Sequence, residues 1–196
     1  IDFRGKGLIR GLYLFPYVAP VIAVAFAWVI LFDPFSGSIN ALLVQMEVVD
    51  TPINFFGQKP YALIMVTVFE IWRYFPLSFL FILARMQAID VEMYEAADMD
   101  GASPFQIFWY LSLPTLMGIL SILFLLRFIW TFNKFDDIFL LTGGSAYTRT
   151  LTVNVYEQAF AVSNIGAGSA VAVLIFIFLL FFSIFFFRYF NREEGL

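Results

Sequence analysis

Long apolar segments alternate with short polar ones along the whole chain. Four apolar segments carry few charges, at residues 12–32, 61–85, 115–132 and 166–187. At about 1.5 Å of rise per residue, helices of these lengths are comparable to the roughly 30 Å of hydrocarbon in a bilayer. The pattern therefore predicts an all-α membrane protein, a polytopic helical bundle with four visible spans.

Two prolines interrupt the first apolar segment. Pro16 and Pro20 lack a backbone N–H, so we expect a kink in the first half of that span. Turn-forming residues at 33–37 end the span, and residues 40–49 favour a short helix at the membrane interface. The last span opens with small residues that allow close helix packing in lipid, namely Gly166, Gly168, Ala170 and Ala172.

The polar segment at residues 90–114 carries signals for two helices joined by a bend. Asp90 is placed to cap a first helix, and Gly101 stands where a helix end needs a left-handed residue. Ser103 and Gln106 have the spacing of a capping box, with Pro104 at the first helical position. The sequence therefore predicts a bent pair of helices between two membrane spans. Its rim is acidic and its centre is built of small residues.

This segment resembles the EAA loop of the membrane subunit in binding-protein-dependent ABC importers. The resemblance rests on Glu95-Ala96-Ala97, on Gly101, and on Leu111-Ser112-Leu113-Pro114 at the family spacing. Asp90 stands where the family usually has proline. The resemblance implies the type I permease fold, which usually has six spans, so the first two spans are expected to precede this chain. Residues 1–196 would then form a single permease domain.

In the family that the chain resembles, the EAA loop is cytoplasmic and docks into a cleft on an ATPase subunit. The resemblance therefore implies ATPase-coupling roles for Glu92, Glu95, Ala96, Ala97, Asp98, Gly101, Ala102 and Pro114. It also implies ATP-binding ATPase subunits, a second permease subunit and an extracytoplasmic solute-binding protein as partners. ATP and Mg²⁺ would be bound by the ATPase subunits, so no cofactor is expected in this chain.

A second stretch points to a type of solute. Leu141-Thr142-Gly143-Gly144-Ser145 is similar to a Leu-Thr-x-Gly-Gly-Pro stretch in carbohydrate importers of the maltose and glycerol-phosphate type, with Ser145 in place of proline. This similarity implies a carbohydrate or polyol-like solute. The external residues 37–54 and 135–160 would then receive the binding protein.

Composition narrows the possible functions. The chain is 62% hydrophobic and only 13% charged, which fits a protein surrounded by lipid. Its net charge of −4 and the lack of a basic run argue against a nucleic acid partner. It has no Cys and no His, which argues against thiol chemistry and a zinc site. It has no P-loop, so we expect a transport subunit that is not itself an enzyme.

The basic residues predict the orientation in the cell membrane. With both termini in the cytoplasm, the cytoplasmic segments contain Arg4, Lys6, Arg10, Arg85, Arg188 and Arg192. The external segments then contain Lys59, Lys134 and Arg149. This bias follows the positive-inside rule and places the EAA-like segment where an ATPase could reach it.

Three charged residues lie within the predicted spans, where an unpaired charge is costly. At about 1.5 Å per residue, Glu70 lies about 13 Å below the outer end of its helix and Arg127 about 18 Å above the inner end of its own. Glu70 could therefore pair with Arg127 across two helices, or with Arg73 one turn away. Such a pair could be structural, or it could line a wet cavity that binds a polar solute.

Aromatic and amide side chains near these charges suit a sugar, which has apolar faces and hydroxyl edges. The candidate substrate pathway comprises Glu70, Trp72, Arg73, Tyr74, Arg127, Trp130 and Asn133. Further external candidates are Asn154, Tyr156 and Gln158. Two alternatives remain from the sequence: an ion-coupled carrier or channel that uses Glu70, Arg73 and Arg127, or a purely structural membrane scaffold without a cavity.

Overall fold

The computed structural model describes residues 6–190, and the side chains of residues 7–189. Arg4 and Arg192, which entered the predicted orientation, lie outside the described residues, as does the side chain of Lys6. Every regular element in this part of the chain is helical. The elements are α1 (Lys6–Val18), α2 (Val21–Leu31), α3 (Ser38–Gln45), α4 (Tyr61–Gln87), α5 (Val91–Met99), α6 (Pro104–Ile107), a π-helical turn (Phe108–Ser112), α7 (Leu113–Phe132), α8 (Asp136–Thr142), α9 (Leu151–Tyr156), a second π-helical turn (Glu157–Ala161) and α10 (Ile165–Phe190).

Three of the described helices are long and apolar enough to cross a membrane: Tyr61–Gln87, Pro104–Phe132 and Ile165–Tyr189. The first and last lie within a few residues of the predicted spans. The middle one begins earlier than predicted, because helix α6 continues through the first π-helical turn into α7. Residues 104–114, predicted as part of a loop, are therefore the first turns of this long helix.

The first predicted span, residues 12–32, is not one straight helix. Helices α1 and α2 meet at an angle of 88°. Pro20 has no N–H to donate to the carbonyl of Pro16, which explains why the helix breaks at this point. The two prolines predicted a kink, and the structure shows that the kink is close to a right angle.

A buried arginine occupies the inside of this bend. Arg73 of α4 is 7% exposed. Its guanidinium donates to the carbonyl of Ala19 at 3.2 Å and to that of Pro16 at 3.4 Å. These are backbone carbonyls that the broken helix leaves available, and buried carbonyls need a partner. Arg73 thus fixes the α1–α2 bend against α4.

The hydrophobic core lies where α2, α4, α8 and α9 meet. Its buried members are Val24, Ala25, Val66, Phe69, Ile138, Leu141 and Val153. Trp28 and Trp72 pack against this cluster with ring centroids 5.5 Å apart. Helix α10 packs on α9 and α7 and exposes most of its phenylalanines, as expected of side chains that face lipid.

Asn40 of α3 organises the connector between α2 and α4. It is 2% exposed, and its amide group donates to the carbonyls of Phe32, Asp33 and Ile53 and accepts from the N–H of Ile53 at 2.8 Å. The short interfacial helix predicted at residues 40–49 is confirmed with different bounds, since α3 ends at Gln45. Glu47 then adopts a left-handed φ of 57°, which is incompatible with a continuing helix.

Candidate functional site

The segment between α4 and α7 folds as a knuckle, which we define as α5, the bend at residues 100–103 and α6. Gly101 has a left-handed φ of 74°, as predicted. Ser103 caps α6: its N–H donates to Oε1 of Gln106 at 2.8 Å, and its hydroxyl accepts from the N–H of Gln106. Asp90 occupies the N-cap position of α5 but makes no side-chain cap hydrogen bond, so that part of the prediction is wrong.

Helix α5 projects from the bundle and buries none of its residues. Its exposed side includes Met99, which is 89% exposed. Most of the predicted coupling residues lie on α5 or at the bend that follows it. Glu92, Glu95, Ala96, Ala97 and Asp98 belong to α5, and Gly101 and Ala102 lie at the bend. Pro114 lies apart from them, beyond the π-helical turn in the first turn of α7. A helix so exposed, with acidic and apolar side chains, is suited to contact another protein.

One hydrogen bond between side chains connects α5 to the long helix Pro104–Phe132. The hydroxyl groups of Tyr94 in α5 and Ser112 in the π-helical turn are hydrogen-bonded at 3.1 Å, and Ser112 is buried. Beyond Pro114, which has no N–H, the hydroxyl of Thr115 donates to the carbonyl of Leu111 at 2.7 Å. Arg85 at the end of α4 donates to the carbonyl of Thr115 at 3.3 Å. The sequence pattern did not indicate these contacts.

A polar cavity of about 350 Å³ lies around the far end of α7. It is lined by Tyr17, Glu70, Tyr74, Arg127, Trp130, Thr131, Asn133, Lys134, Phe135 and Asp136. Five of the seven predicted pathway residues are in this lining. The other two, Trp72 and Arg73, are not: Trp72 packs in the aromatic core, and Arg73 fixes the helix bend.

Glu70 and Arg127 form an ion pair across α4 and α7. Oε2 of Glu70 lies 3.7 Å from a guanidinium nitrogen of Arg127, which confirms the pairing expected from their depth. The alternative pairing, of Glu70 with Arg73, is not what the structure shows. Arg73 faces Asp137 of α8 at 3.8 Å instead, because its guanidinium turns toward the α1–α2 bend.

Lys134 and Asp137 are members of this cluster that the sequence analysis missed. The Lys134 ammonium lies 2.6 Å from Oδ2 of Asp137 and 4.0 Å from Oε1 of Glu70. Asp137 is fully buried, at 0% exposure. The sequence predicts both residues in an external connector. The local sequence offers only two adjacent acids, Asp136 and Asp137, in the first turn of α8, and it does not indicate which of the two side chains is buried.

Tyr74 connects these charges. Its hydroxyl donates to Oδ2 of Asp137 at 2.9 Å and contacts the Lys134 ammonium. Arg127 lies over the face of the Tyr74 ring, with its guanidinium carbon 4.4 Å from the ring centroid. We name Glu70, Arg73, Tyr74, Arg127, Lys134 and Asp137 the charge cluster. Two of its charged members, Arg73 and Asp137, lie behind the cavity wall rather than in it.

None of the three external candidates lines the cavity. Tyr156 stacks in an aromatic group with Phe135 and Phe139, at 5.0 Å between ring centroids in each case. Asn154 lines a separate surface depression together with Arg149. Gln158 lies in the second π-helical turn. The structure does not bring these three residues together with the charge cluster. Among the described residues no group of Asp and Glu has the arrangement of a metal site.

The long apolar helices and the charged cavity beside them define the class of this protein as a polytopic membrane protein with a polar site. The chain belongs to the family of binding-protein-dependent transport system inner membrane components, whose family model matches residues 1–194. Family membership places it in an inner membrane as a multi-pass protein.

Two curated relatives cover most of the chain. It is 37% identical to the inner membrane ABC transporter permease protein YcjO of Escherichia coli over 91% of this chain and 60% of the relative. It is 32% identical to the trehalose/maltose transport system permease protein MalF of Thermococcus litoralis over 92% of this chain and 61% of the relative. The chain thus spans about 60% of the length of these relatives.

A solved structure supports the fold. A chain from the crystal structure of a bacterial ABC transporter involved in the import of the acidic polysaccharide alginate superposes with a TM-score of 0.90. The superposition covers 100% of this chain and 69% of that chain at 18% sequence identity. The ABC importer permease fold, predicted from the sequence, is confirmed.

Proposed function

We propose that this chain is a permease subunit of an ATP-driven importer that moves a carbohydrate or polyol-like solute. The observation that carries the proposal is one continuous structure. An exposed helical knuckle is hydrogen-bonded to a long helix, and the other end of that helix lines a polar cavity with Arg127 and Trp130. One end is suited to receive force from a protein partner, and the other is suited to hold a solute.

The knuckle would be the docking site for an ATPase subunit, which would bind ATP and Mg²⁺. Helix α5 presents Glu92, Glu95 and Asp98 on an exposed surface, and small residues at Ala96 and Gly101 permit close approach of another backbone. Movement of α5 would reach α7 through the Tyr94–Ser112 hydrogen bond and through the short capped bend. In this proposal both chain ends face the cytoplasm, together with the knuckle.

The cavity would hold the solute on its way through the membrane. Tyr17, Tyr74 and Trp130 offer ring faces, while Asn133 and the carboxylates offer hydrogen-bonding groups. This combination fits a sugar ring. One relative is named for trehalose and maltose transport and the structural neighbour for alginate import, so the names of both concern carbohydrates. A second permease subunit would close the open side of the cavity, and an external solute-binding protein would deliver the solute at residues 37–54 and 135–160.

One observation favours a second candidate function. The charge cluster joins two carboxylates and three cations inside the bundle, and such clusters are also used by ion-coupled carriers. That function would not require an exposed knuckle. The two candidates differ in energy source: with ATP supplied, a proton ionophore would stop a proton-coupled carrier and leave an ATP-driven importer working.

The proposal is tested by two substitutions on the knuckle in the assembled transporter. We expect both Glu95→Lys and Gly101→Asp to insert normally and to lose co-purification with the ATPase subunit. Glu95→Lys reverses a charge on the docking surface, and Gly101→Asp places a side chain at a left-handed φ of 74°. Asp50→Lys, an exposed acid in the α3–α4 connector, is the control and should co-purify normally. Normal co-purification and normal import by both knuckle variants would refute ATPase docking at this surface.

A further inference from the structure

We infer that the cavity selects an uncharged polyhydroxy solute and discriminates against one that carries a carboxylate or a phosphate. This inference rests on the proposed function and specifies the charge of the solute, which the proposed function leaves open.

The two cations in the cavity wall are already paired. Arg127 lies 3.7 Å from the Glu70 carboxylate and over the ring of Tyr74. The Lys134 ammonium lies 2.6 Å from the buried Asp137 carboxylate, and Glu70 is its second acidic neighbour at 4.0 Å. An anionic solute that approaches either cation therefore meets a carboxylate that already offsets the charge of that cation.

The residues behind the wall offer no spare cation. Arg73 is buried, and its guanidinium is engaged by the carbonyls of Pro16 and Ala19 and by Asp137. It therefore cannot turn into the cavity without releasing the α1–α2 bend. A site that binds a carboxylate or phosphate usually presents an arginine or lysine whose donors are free to form charge-assisted hydrogen bonds.

The lining also contains a carboxylate that an anion would have to approach. Asp136, in the first turn of α8, is exposed and lines the cavity beside Lys134 and Phe135. Together with Glu70 it places two carboxyl groups beside the two cations of the lining. The negative charge of an anionic solute in this space would be repelled by Asp136.

A neutral sugar could use the same wall without breaking any ion pair. Carboxylate oxygens of Glu70 and Asp136 can accept hydrogen bonds from sugar hydroxyl groups, and such charge-assisted bonds are strong. The exposed face of Trp130 and the ring of Tyr17 offer apolar contact to the faces of a sugar ring. The cavity is therefore complementary to an uncharged solute with several hydroxyl groups.

The test is solute uptake by the complete transporter, with its ATPase, second permease and binding-protein subunits, in proteoliposomes. A panel of radiolabelled neutral disaccharides, including trehalose and maltose, is compared with uronate-containing disaccharides and with sn-glycerol 3-phosphate. We expect ATP-dependent uptake of at least one neutral sugar at a rate well above that of every anion in the panel. Uptake of an anion at a comparable rate would overturn the inference and leave the proposed function standing. Uptake of neither class would overturn both.

A variant tests the physical basis of the selectivity. Asp136→Asn should raise uptake of anionic sugars relative to neutral ones by about fivefold, the effect of one charge at about 4 Å in a hydrated site. Asp136→Glu, which keeps the negative charge at this position, is the matched control and should leave the original ratio unchanged. An unchanged ratio in Asp136→Asn would contradict the role assigned to this carboxylate and overturn the inference.

Discussion

The buried carboxylate of Asp137 allows the sharpest test of the charge cluster, because the exposed acid beside it, Asp136, can be changed in the same way as a control. Asp137 accepts a hydrogen bond from Tyr74 at 2.9 Å and lies 2.6 Å from the Lys134 ammonium and 3.8 Å from Nε of Arg73. Asp137→Ala removes the shared partner of two cations with little access to solvent. Removal of one partner from a buried ion pair costs about 3–5 kcal/mol.

This cost can be measured as a fall in melting temperature of the assembled transporter. A loss of about 3–5 kcal/mol corresponds to roughly 6–20 °C for a chain of this size. Asp136→Ala changes the adjacent, exposed acid of the same helix turn and should cost less than about 0.5 kcal/mol. Intrinsic tryptophan fluorescence would follow unfolding. Equal melting temperatures for the two variants would refute the role of Asp137 as the common partner of Lys134 and Arg73.

Three further predictions concern the knuckle and the connector. Tyr94→Phe removes only the hydroxyl group that is hydrogen-bonded to Ser112. We expect a complex that assembles but shows weaker stimulation of ATP hydrolysis by the binding protein. Unchanged stimulation would exclude this contact from coupling. Gly101→Ala should destabilise the knuckle by about 1 kcal/mol, because residue 101 has a left-handed φ of 74° while the space around it is open. The loss would be measured as faster amide hydrogen exchange in α5. Gly37→Ala should lower the melting temperature, because its new methyl group would meet backbone atoms at 2.6 Å; Gly11→Ala, where no atom lies within 4 Å, should not.

The knuckle could be predicted from the sequence in detail because its determinants are local. The left-handed residue at Gly101 and the capping box of Ser103 with Gln106 involve groups within a few positions of one another. Their residue types nearly fix the backbone. Asp90 shows the limit of this reasoning, since it stands at the N-cap position without making the cap hydrogen bond.

The charge cluster could be predicted only in part, since it depends on packing between distant segments. The depths of Glu70 and Arg127 followed from helix rise, and their ion pair is confirmed. The inward turn of Asp137 depends on how α8 packs against α2 and α4, and no local pattern distinguishes it from Asp136. The direction of Arg73 depends likewise on a near right-angled bend more than 50 residues earlier in the chain.

The two candidate sites are connected through the pair of helices α4 and α7. Near the knuckle, Arg85 of α4 donates to the carbonyl of Thr115 in α7 at 3.3 Å. Near the cavity, Glu70 of α4 pairs with Arg127 of α7 at 3.7 Å. A displacement of α7 relative to α4 must therefore change a polar contact at each end. Because Glu70 also lies 4.0 Å from Lys134, the same displacement alters the partners of both cavity cations. A force that acts on the knuckle would therefore change the ion pairs around the cavity through this one pair of helices.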